Sequence, residues 1–453
     1  MRCVDSPSTT PASAWLSRSS TPGLATVDTL GARTAPPRTP SPATTPLLRL
    51  GPVTAQTQRA QTDVLVVGGG PVGLLLGALL ARSGVAVQVW ERRSSVPHGS
   101  RAIGIHPPSL DAFAAIGADA PVLAEAALVR EGVARSRGRT LGTLSFARVS
   151  TTHPYVVTLD QHRTEAILRD RLHLAAPEAL RPGLALTGLH RHERSIEATG
   201  SGPSGEPVAV RAAFVVGADG ARSTVRDLLG LRSTGHDYPD RYVMGDFADP
   251  EPAALSATAL VDVGPRGVVE SFPLPNGRRR YVALSGPDRS LGAPAWRPEE
   301  APDQDAARAL AAAVRERTGA EADPATCSML SGFRVRRRES ERMGVGRVVL
   351  LGDAAHEISP IGGQGMNLGW LDAAELAPLL VGAIRDGAVG LWPDFARRRT
   401  VAARRAARQA EANMALGRPA GPLAHRGREA LLRTALALPT ADVLARVYAM
   451  RWS

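Results

Sequence analysis

Residues Asp63 to Arg93 read DVLVVGGGPVGLLLGALLARSGVAVQVWERR. The run DVLVV has the unbroken apolar character of a strand covered on both faces, as in a parallel sheet. The segment PVGLLLGALLARSG then follows a helical pattern, opened by proline and closed by Gly84. VAVQVWE reads as a second strand, so the stretch is one strand–helix–strand unit. Gly68, Gly70 and Gly73 fall between strand and helix at the fingerprint spacing, with Pro71 and Val72 among them. Such glycines allow a tight turn and let backbone amides approach a pyrophosphate at the helix N-terminus, where the dipole favours negative charge. Glu91 ends the second strand about 20 residues on, where an acid accepts hydrogen bonds from a ribose, and Arg92 follows it. The unit predicts a bound dinucleotide and does not distinguish NAD from FAD.

The rest of the chain sets the frame for that unit. It has 453 residues, enough for two or three domains. The first 60 residues include 27 Ser, Thr or Pro and show no apolar periodicity, so residues 1–60 are expected to be a disordered tail. Their Arg- and Ser-rich, acid-poor character resembles a transit peptide, but a solvated tail or an over-long start is the preferred reading. No apolar run is long enough to predict a transmembrane segment. Cys3 and Cys327 are the two cysteines, too few for a disulfide framework or a cysteine-rich metal site, and no metal is expected. A reducing cytoplasm fits. The net charge of +11 would suggest nucleic acid, yet all 54 basic residues are arginine, interspersed with acids along helical segments. A coding bias toward Arg explains the charge, and no nucleic-acid partner is expected. The missing lysine also excludes a Walker-type phosphate loop and Schiff-base chemistry.

Two further motifs repeat the strand–turn–helix theme. GADGARSTVR, Gly217 to Arg226, places Asp219 in a tight turn after an apolar strand. RVVLLGDAAHEISPIGGQGMNLG, Arg347 to Gly369, places Gly352 and Asp353 at a strand end, where a carboxylate can accept from polyol hydroxyls. A Pro- and Gly-rich loop follows, with Pro360 and Gly363, and then Gly365, Met366 and Asn367 open a helix. The N-terminal dipole of that helix would stabilise negative charge on a ring lying against it. Between Leu231 and Arg334 the pattern changes to short alternating segments, SATALVDVG, GVVESFPLPNG and RRRYVALSG, with a hairpin expected at Pro275-Asn276-Gly277.

In that order, GGGPVG, SRAIGIHPPSLDAF, DQHRTEAIL, GADGARSTVR and GDAAHEISPIGGQGMNLG resemble the FAD-dependent aromatic hydroxylases typified by para-hydroxybenzoate hydroxylase. The resemblance covers about Asp63 to Gly387. It implies an α/β fold: a discontinuous Rossmann-like FAD-binding domain, an inserted mixed β-sheet substrate domain and C-terminal helices. The corresponding division is 61–230 and 335–390 for the FAD domain, 231–334 for the substrate domain with an excursion near 130–155, and 391–453 for the helices. It also implies that Gly68, Gly70 and Gly73 take the pyrophosphate, joined by Arg101, and that Glu91 takes the adenosine ribose. Gln161 would meet the flavin side, Asp219 a turn serving FAD and the nicotinamide cofactor, and Asp353 the ribityl chain. Pro360 to Asn367 would wall the isoalloxazine.

The implied activity is a monooxygenase that uses NAD(P)H as cosubstrate and molecular oxygen to hydroxylate a small phenolic or other electron-rich aromatic substrate, of polyketide or quinone type. The flavin would carry the chemistry, and the protein would supply geometry and dryness. His356, His236, Tyr238 and Tyr242 are base candidates by residue type alone, and none is assigned that role. A flavin halogenase is disfavoured, because that family uses a lysine and a WxWxIP segment that this chain lacks. A redox-neutral flavoprotein remains open, and a non-enzymatic basic binder is favoured only by charge. The amphipathic C-terminal segment RGREALLRTALALPTADVLARVYAM is expected to pack on the chain's own FAD domain, with membrane or subunit contact as alternatives. A monomer or homodimer is expected.

Overall fold

Val64, Leu65 and Val66 are wholly buried, which places the strand Ala60–Val67 inside a sheet covered on both faces. In the computed structural model, residues 60–95, 102–251, 255–285, 301–387, 392–437 and 440–452 are described. Residues 1–59 of the expected tail, and Arg101, lie outside them.

Five parallel strands form the centre of the first sheet, in the order Val348–Leu350, Pro207–Gly217, Ala60–Val67, Val87–Glu91 and Leu180–Pro182. The first strand in sequence is therefore central. The chain order reverses between it and Pro207–Gly217, opening a crevice beyond their carboxyl ends. Antiparallel strands Ile196–Ser201 and Ala185–Arg191 extend the sheet. The helix Pro71–Arg82 buries Leu74, Leu75, Leu76 and Leu80 completely, and each contributes about 1.5–3 kcal/mol by leaving water. Helices Gln161–Ala175 and Gly365–Asp386 pack against it. The expected α/β architecture, with its nucleotide sheet assembled from separated segments, is present.

The second sheet runs His356–Glu357, Met329–Ser340, Ser233–Ala248, Arg278–Ser285, Gly267–Leu274, Thr258–Gly264, Glu131–Ser136 and Arg139–Ser145. It is mixed, since Thr258–Gly264 pairs parallel with Glu131–Ser136 and the other pairings are antiparallel. The hairpin turn uses Asn276 and Gly277, both at positive φ (61° and 63°), matching the residue types such a turn favours.

One face of this sheet is covered by the helix Gln304–Thr318, which buries Ala307, Leu310, Ala311 and Val314 against Val243, Phe247, Val269 and Tyr281. The sequence reading of short strands through Arg334 had no helix here. Asp303 caps it by accepting from the Asp305 and Ala306 amides, and Gly319 ends it at φ 80°.

The C-terminal chain forms helices Trp392–Gly417, Pro422–Ala437 and Thr440–Tyr448. The expectation that the last two lie on the FAD domain is corrected: both pack on the strand Arg139–Ser145 of the second sheet. Arg428 drives this docking by donating to the carbonyls of Val263 and Gly264 at a sheet turn (3.0 and 2.9 Å). Where this last stretch meets the nucleotide domain, Met450 and Trp452 pack with Leu368, Tyr448 stands against the His106 ring and accepts from Gln364 at its carbonyl, and Arg451 pairs with Asp111.

Candidate active site

The crevice at the strand-order reversal opens into a cavity of about 1030 Å³ that continues beneath the second sheet. Its lining holds Gly68, Gly70, Pro71, Val72, Glu91, Arg92, Gln161, Asp219, Gly352, Asp353, Pro360, Gly363, Gly365 and Met366. Of the described candidates, Gly73 and Asn367 stand outside it.

At the fingerprint, Gly68 has φ 109°, and a Cβ there would lie 2.3 Å from the Ala218 carbonyl oxygen. A Cβ on Gly73 would lie 1.9 Å from the Gly68 carbonyl oxygen. These two glycines let backbone pack on backbone. Gly70 differs: its Cβ would meet no atom of the described residues within 4 Å and would project into the cavity it lines. Gly70 caps a helix whose first turn carries no acid, so nothing in that turn repels an anion.

Glu91 accepts from the Gly69 amide (2.8 Å) and from the amide and Nε of Arg93 (2.9 and 2.8 Å). Burial alone would raise its pKa, but the hydrogen bonds and charge of Arg93 and the Gly69 amide hold it below the usual value. It stays ionised at neutral pH and can accept from hydroxyls.

The second and third motifs are tied together. Ser223 caps the helix Thr224–Leu228 by accepting from the Arg226 amide (3.0 Å). The Arg226 guanidinium reaches the Ala221 and Ala354 carbonyls (3.0 and 3.2 Å). Asp219 accepts from the Val225 amide at Oδ2, while its Oδ1 is buried without a hydrogen-bond partner among the described residues. Burial raises its pKa against the hydrogen bonds from Ser223 and Val225.

Asp353 opens onto the cavity with protein surrounding it. Its side chain is exposed where it faces the cavity, yet the protein packed around the carboxylate, with the charge of Glu357, pushes its pKa up to about 6. Behind it lies a buried network: Asp372 accepts from the Gly352 amide (3.0 Å) and Arg399 Nε (2.6 Å), and pairs with His356 Nε2 (2.8 Å). Burial would raise the Asp372 pKa, but His356 and Arg399 hold it down. Burial would lower that of His356, but Asp372 raises it. His356 thus supports the loop and does not line the cavity. Neither do His236, Tyr238 or Tyr242.

Asn367 acts as a clasp. It donates to the Gly104 and Gly363 carbonyls and accepts from the His106 amide, each at 2.9 Å, fixing the glycine-rich loop. Gln161, held by its Nε2 to Glu165 (2.7 Å), begins a helix whose preceding Asp160 accepts from Arg278 of the second sheet (2.6 Å).

The far half of the cavity is apolar: Val261, Val263, Val268, Phe272, Val282, Met244 and Leu432 line it. Glu270, Tyr448, His106 and Asn413 also line it, and sequence reasoning named none of them. The segment GVVESFPL carried a usable signal for Glu270, an acid two residues from Val268 and from Phe272 on one strand face.

FAD fits this geometry. Gly70 leaves open the place of a side chain at a helix N-terminus, Glu91 is an ionised acceptor at the second strand end, and the Asp219 Oδ1 lacks a partner among the described residues.

The sequence profile of the FAD binding domain family matches residues 61–410. Among individual proteins, 6-methylpretetramide 4-monooxygenase of Streptomyces rimosus is 32% identical over 339 residues, a match covering 72% of this chain and 57% of the relative. This chain thus corresponds to a little over half of that enzyme's length. The crystal structure of p-nitrophenol 4-monooxygenase from Pseudomonas putida superposes with a TM-score of 0.74 at 26% identity, covering 85% of this chain and 97% of that one. A Diels-Alderase of pyrroindomycin biosynthesis superposes at 0.67 with 25% identity, covering 86% of this chain and 76% of that one.

Proposed function

The chain belongs to the FAD binding domain family, and from that premise we propose that it is a monooxygenase using FAD, NAD(P)H and molecular oxygen to hydroxylate a phenolic or other electron-rich aromatic substrate. One observation carries the reading: a single cavity joins a dinucleotide cradle to an apolar chamber. Its volume of about 1030 Å³ sits at the upper end of the roughly 300–1,000 Å³ usual for small-molecule sites, leaving room for an aromatic compound beside part of a cofactor.

Bound FAD would supply hydride acceptance and oxygen activation. The chain's residues bind and orient. The amides of Gly70, Val72 and Gly73 would hold the pyrophosphate, aided by Arg101; Glu91 would take the ribose; Asp353 would accept from the ribityl hydroxyls. Pro360 to Met366 would wall the ring, and the helix N-terminus at Gly365 would favour its reduced, anionic form. Gln161 would meet the flavin side, and Asp219 would hold the turn facing both cofactors. The apolar floor would exclude water from the reacting atoms.

We assign 61–230 and 335–390 to FAD binding, 231–334 with the segment near 130–155 to the substrate, and 391–453 to closing the chamber. No helix among the described residues is long and apolar enough to cross a membrane. A cytoplasmic setting accords with the NAD(P)H requirement and the free, buried thiol of Cys327.

The testing experiment is NAD(P)H oxidation by FAD-loaded protein with p-nitrophenol and polycyclic phenols. Phenol-stimulated oxidation supports the proposal. The Diels-Alderase likeness favours a redox-neutral reaction as the second reading, and substrate conversion without NAD(P)H consumption would establish that instead.

A further inference from the structure

Strand Gly267–Leu274 is buried on both faces. Val269 meets the covering helix, while Val268, Glu270 and Phe272 line the cavity. Glu270 pairs in register with Val261 on one side and Val282 on the other, and beyond these stand Ala134 and Met244. One carboxylate therefore sits in the middle of a transverse row of apolar side chains that all line the cavity. Glu270 is 8% exposed and has no hydrogen bond or ion pair among the described residues. Buried ionisable groups are ordinarily paired. A hydrocarbon side chain at this position would suit the sheet better, so the carboxylate answers to something that enters the chamber.

We propose that Glu270 is the residue that receives the substrate's hydroxyl group, and that the substrate class is a fused-ring phenol whose O–H donates to this carboxylate while its apolar rings lie on Val261, Val282 and Met244. This deepens the hydroxylase reading and rests on it for the reaction. As the ring is attacked, the phenolic O–H bond breaks and the proton passes to a Glu270 oxygen, forming a carboxyl O–H bond. The electron pair stays on the phenol oxygen and makes the ring more nucleophilic. A mono-ether of the same ring system offers no proton and leaves the carboxylate unpaired, which is the stronger form of discrimination.

Burial pushes the Glu270 pKa up to about 7, so the acceptor form is gained across neutral pH. The groups facing it leave that window clear. Tyr242 on the strand Ser233–Ala248 and Tyr448 on the last helix are raised by burial and stay neutral. His106 is lowered by burial to about 4 and is also neutral. Arg280 is paired with Asp246 (2.6 and 2.8 Å).

The test uses FAD-loaded full-length protein without NAD(P)H. Dissociation constants are measured for 1-naphthol, 2-naphthol and 9-phenanthrol, each against its methyl ether, from pH 6 to 8. In at least one pair the wild type is expected to prefer the phenol at pH 8 by about tenfold or more, as for a charged acceptor, and less so at pH 6. Glu270→Leu should keep FAD and lose the preference. Glu270→Gln should lose the pH dependence, which keeps the test sound even if the leucine variant folds poorly. No wild-type preference in any pair, a preference that survives in Glu270→Leu, or the wild-type pH slope in Glu270→Gln would overturn the assignment. A Glu270-dependent phenol preference in a protein that incorporates no oxygen would uphold the assignment while the hydroxylase reading fails.

Discussion

Gly70→Val separates ligand binding from folding. Gly70 has φ −78° and ψ −177°, which any residue can adopt, and a Cβ there meets no atom of the described residues within 4 Å. An apolar residue at a helix N-cap costs about 1 kcal/mol. Replacing glycine where its conformation is compatible returns about 0.4–1 kcal/mol by restricting the unfolded chain. The apo protein should therefore unfold within about 1 kcal/mol of wild type. The valine would occupy the proposed place of the pyrophosphate and remove at least one charge-assisted hydrogen bond, worth about 1.5–3 kcal/mol. That corresponds to FAD binding weakened by about 10- to 150-fold or more. The assay is FAD titration of apo protein by flavin fluorescence, with denaturant unfolding alongside. Gly73→Ala is the control, since its Cβ would fall 1.9 Å from the Gly68 carbonyl oxygen and should lower stability. Wild-type FAD affinity in Gly70→Val, or a loss of apo stability as large as in Gly73→Ala, would refute the placement of the pyrophosphate.

Asp353→Ala should weaken FAD by about 10- to 150-fold through one lost bond to a charged acceptor, and wild-type affinity should fall as pH drops through about 6, where Asp353 takes up its proton; titration at pH 5 to 8 checks both. Asp372→Asn removes the shared partner of His356 and Arg399, and denaturant unfolding should show a loss of about 3–5 kcal/mol, as when a buried pair is broken. Glu270 has its folded pKa raised to about 7, so its stability penalty is fully present above that pH and disappears toward the lower pKa of the unfolded chain. Glu270→Leu should therefore be more stable than wild type by about 1–3 kcal/mol at pH 8, with the gain shrinking between pH 7 and 5; a gain constant with pH would contradict the unpaired carboxylate.

The nucleotide half of the fold was legible because its signals are local. A glycine-rich turn, an acid at a strand end and a helix start lie within a few residues, so spacing alone fixes their relation at the crevice. Features that depend on distant partners were not legible. Asn367 reads as part of a cofactor loop, yet its side chain closes on Gly104 and His106, over 260 positions away. The helix Gln304–Thr318 has apolar residues at Ala307, Leu310, Ala311 and Val314, but its many alanines and arginines give a weak pattern. Glu270 shares a strand face with Val268 and Phe272, which marks the acid as unusual, but the strand is buried on both faces, so alternation does not say that this side faces a cavity. The docking of the C-terminal helices depends on Arg428 finding carbonyls at Val263 and Gly264, which no local pattern announces.

The central claim is that the cavity places an aromatic ring for oxygen insertion. Turnover of FAD-loaded protein with NAD(P)H and a polycyclic phenol under isotopically labelled oxygen, followed by mass spectrometry of the product, tests it most directly. The account predicts one labelled oxygen atom in the product and one NAD(P)H consumed for each product formed. An unlabelled product, or conversion that proceeds anaerobically without a nicotinamide cofactor, would contradict it.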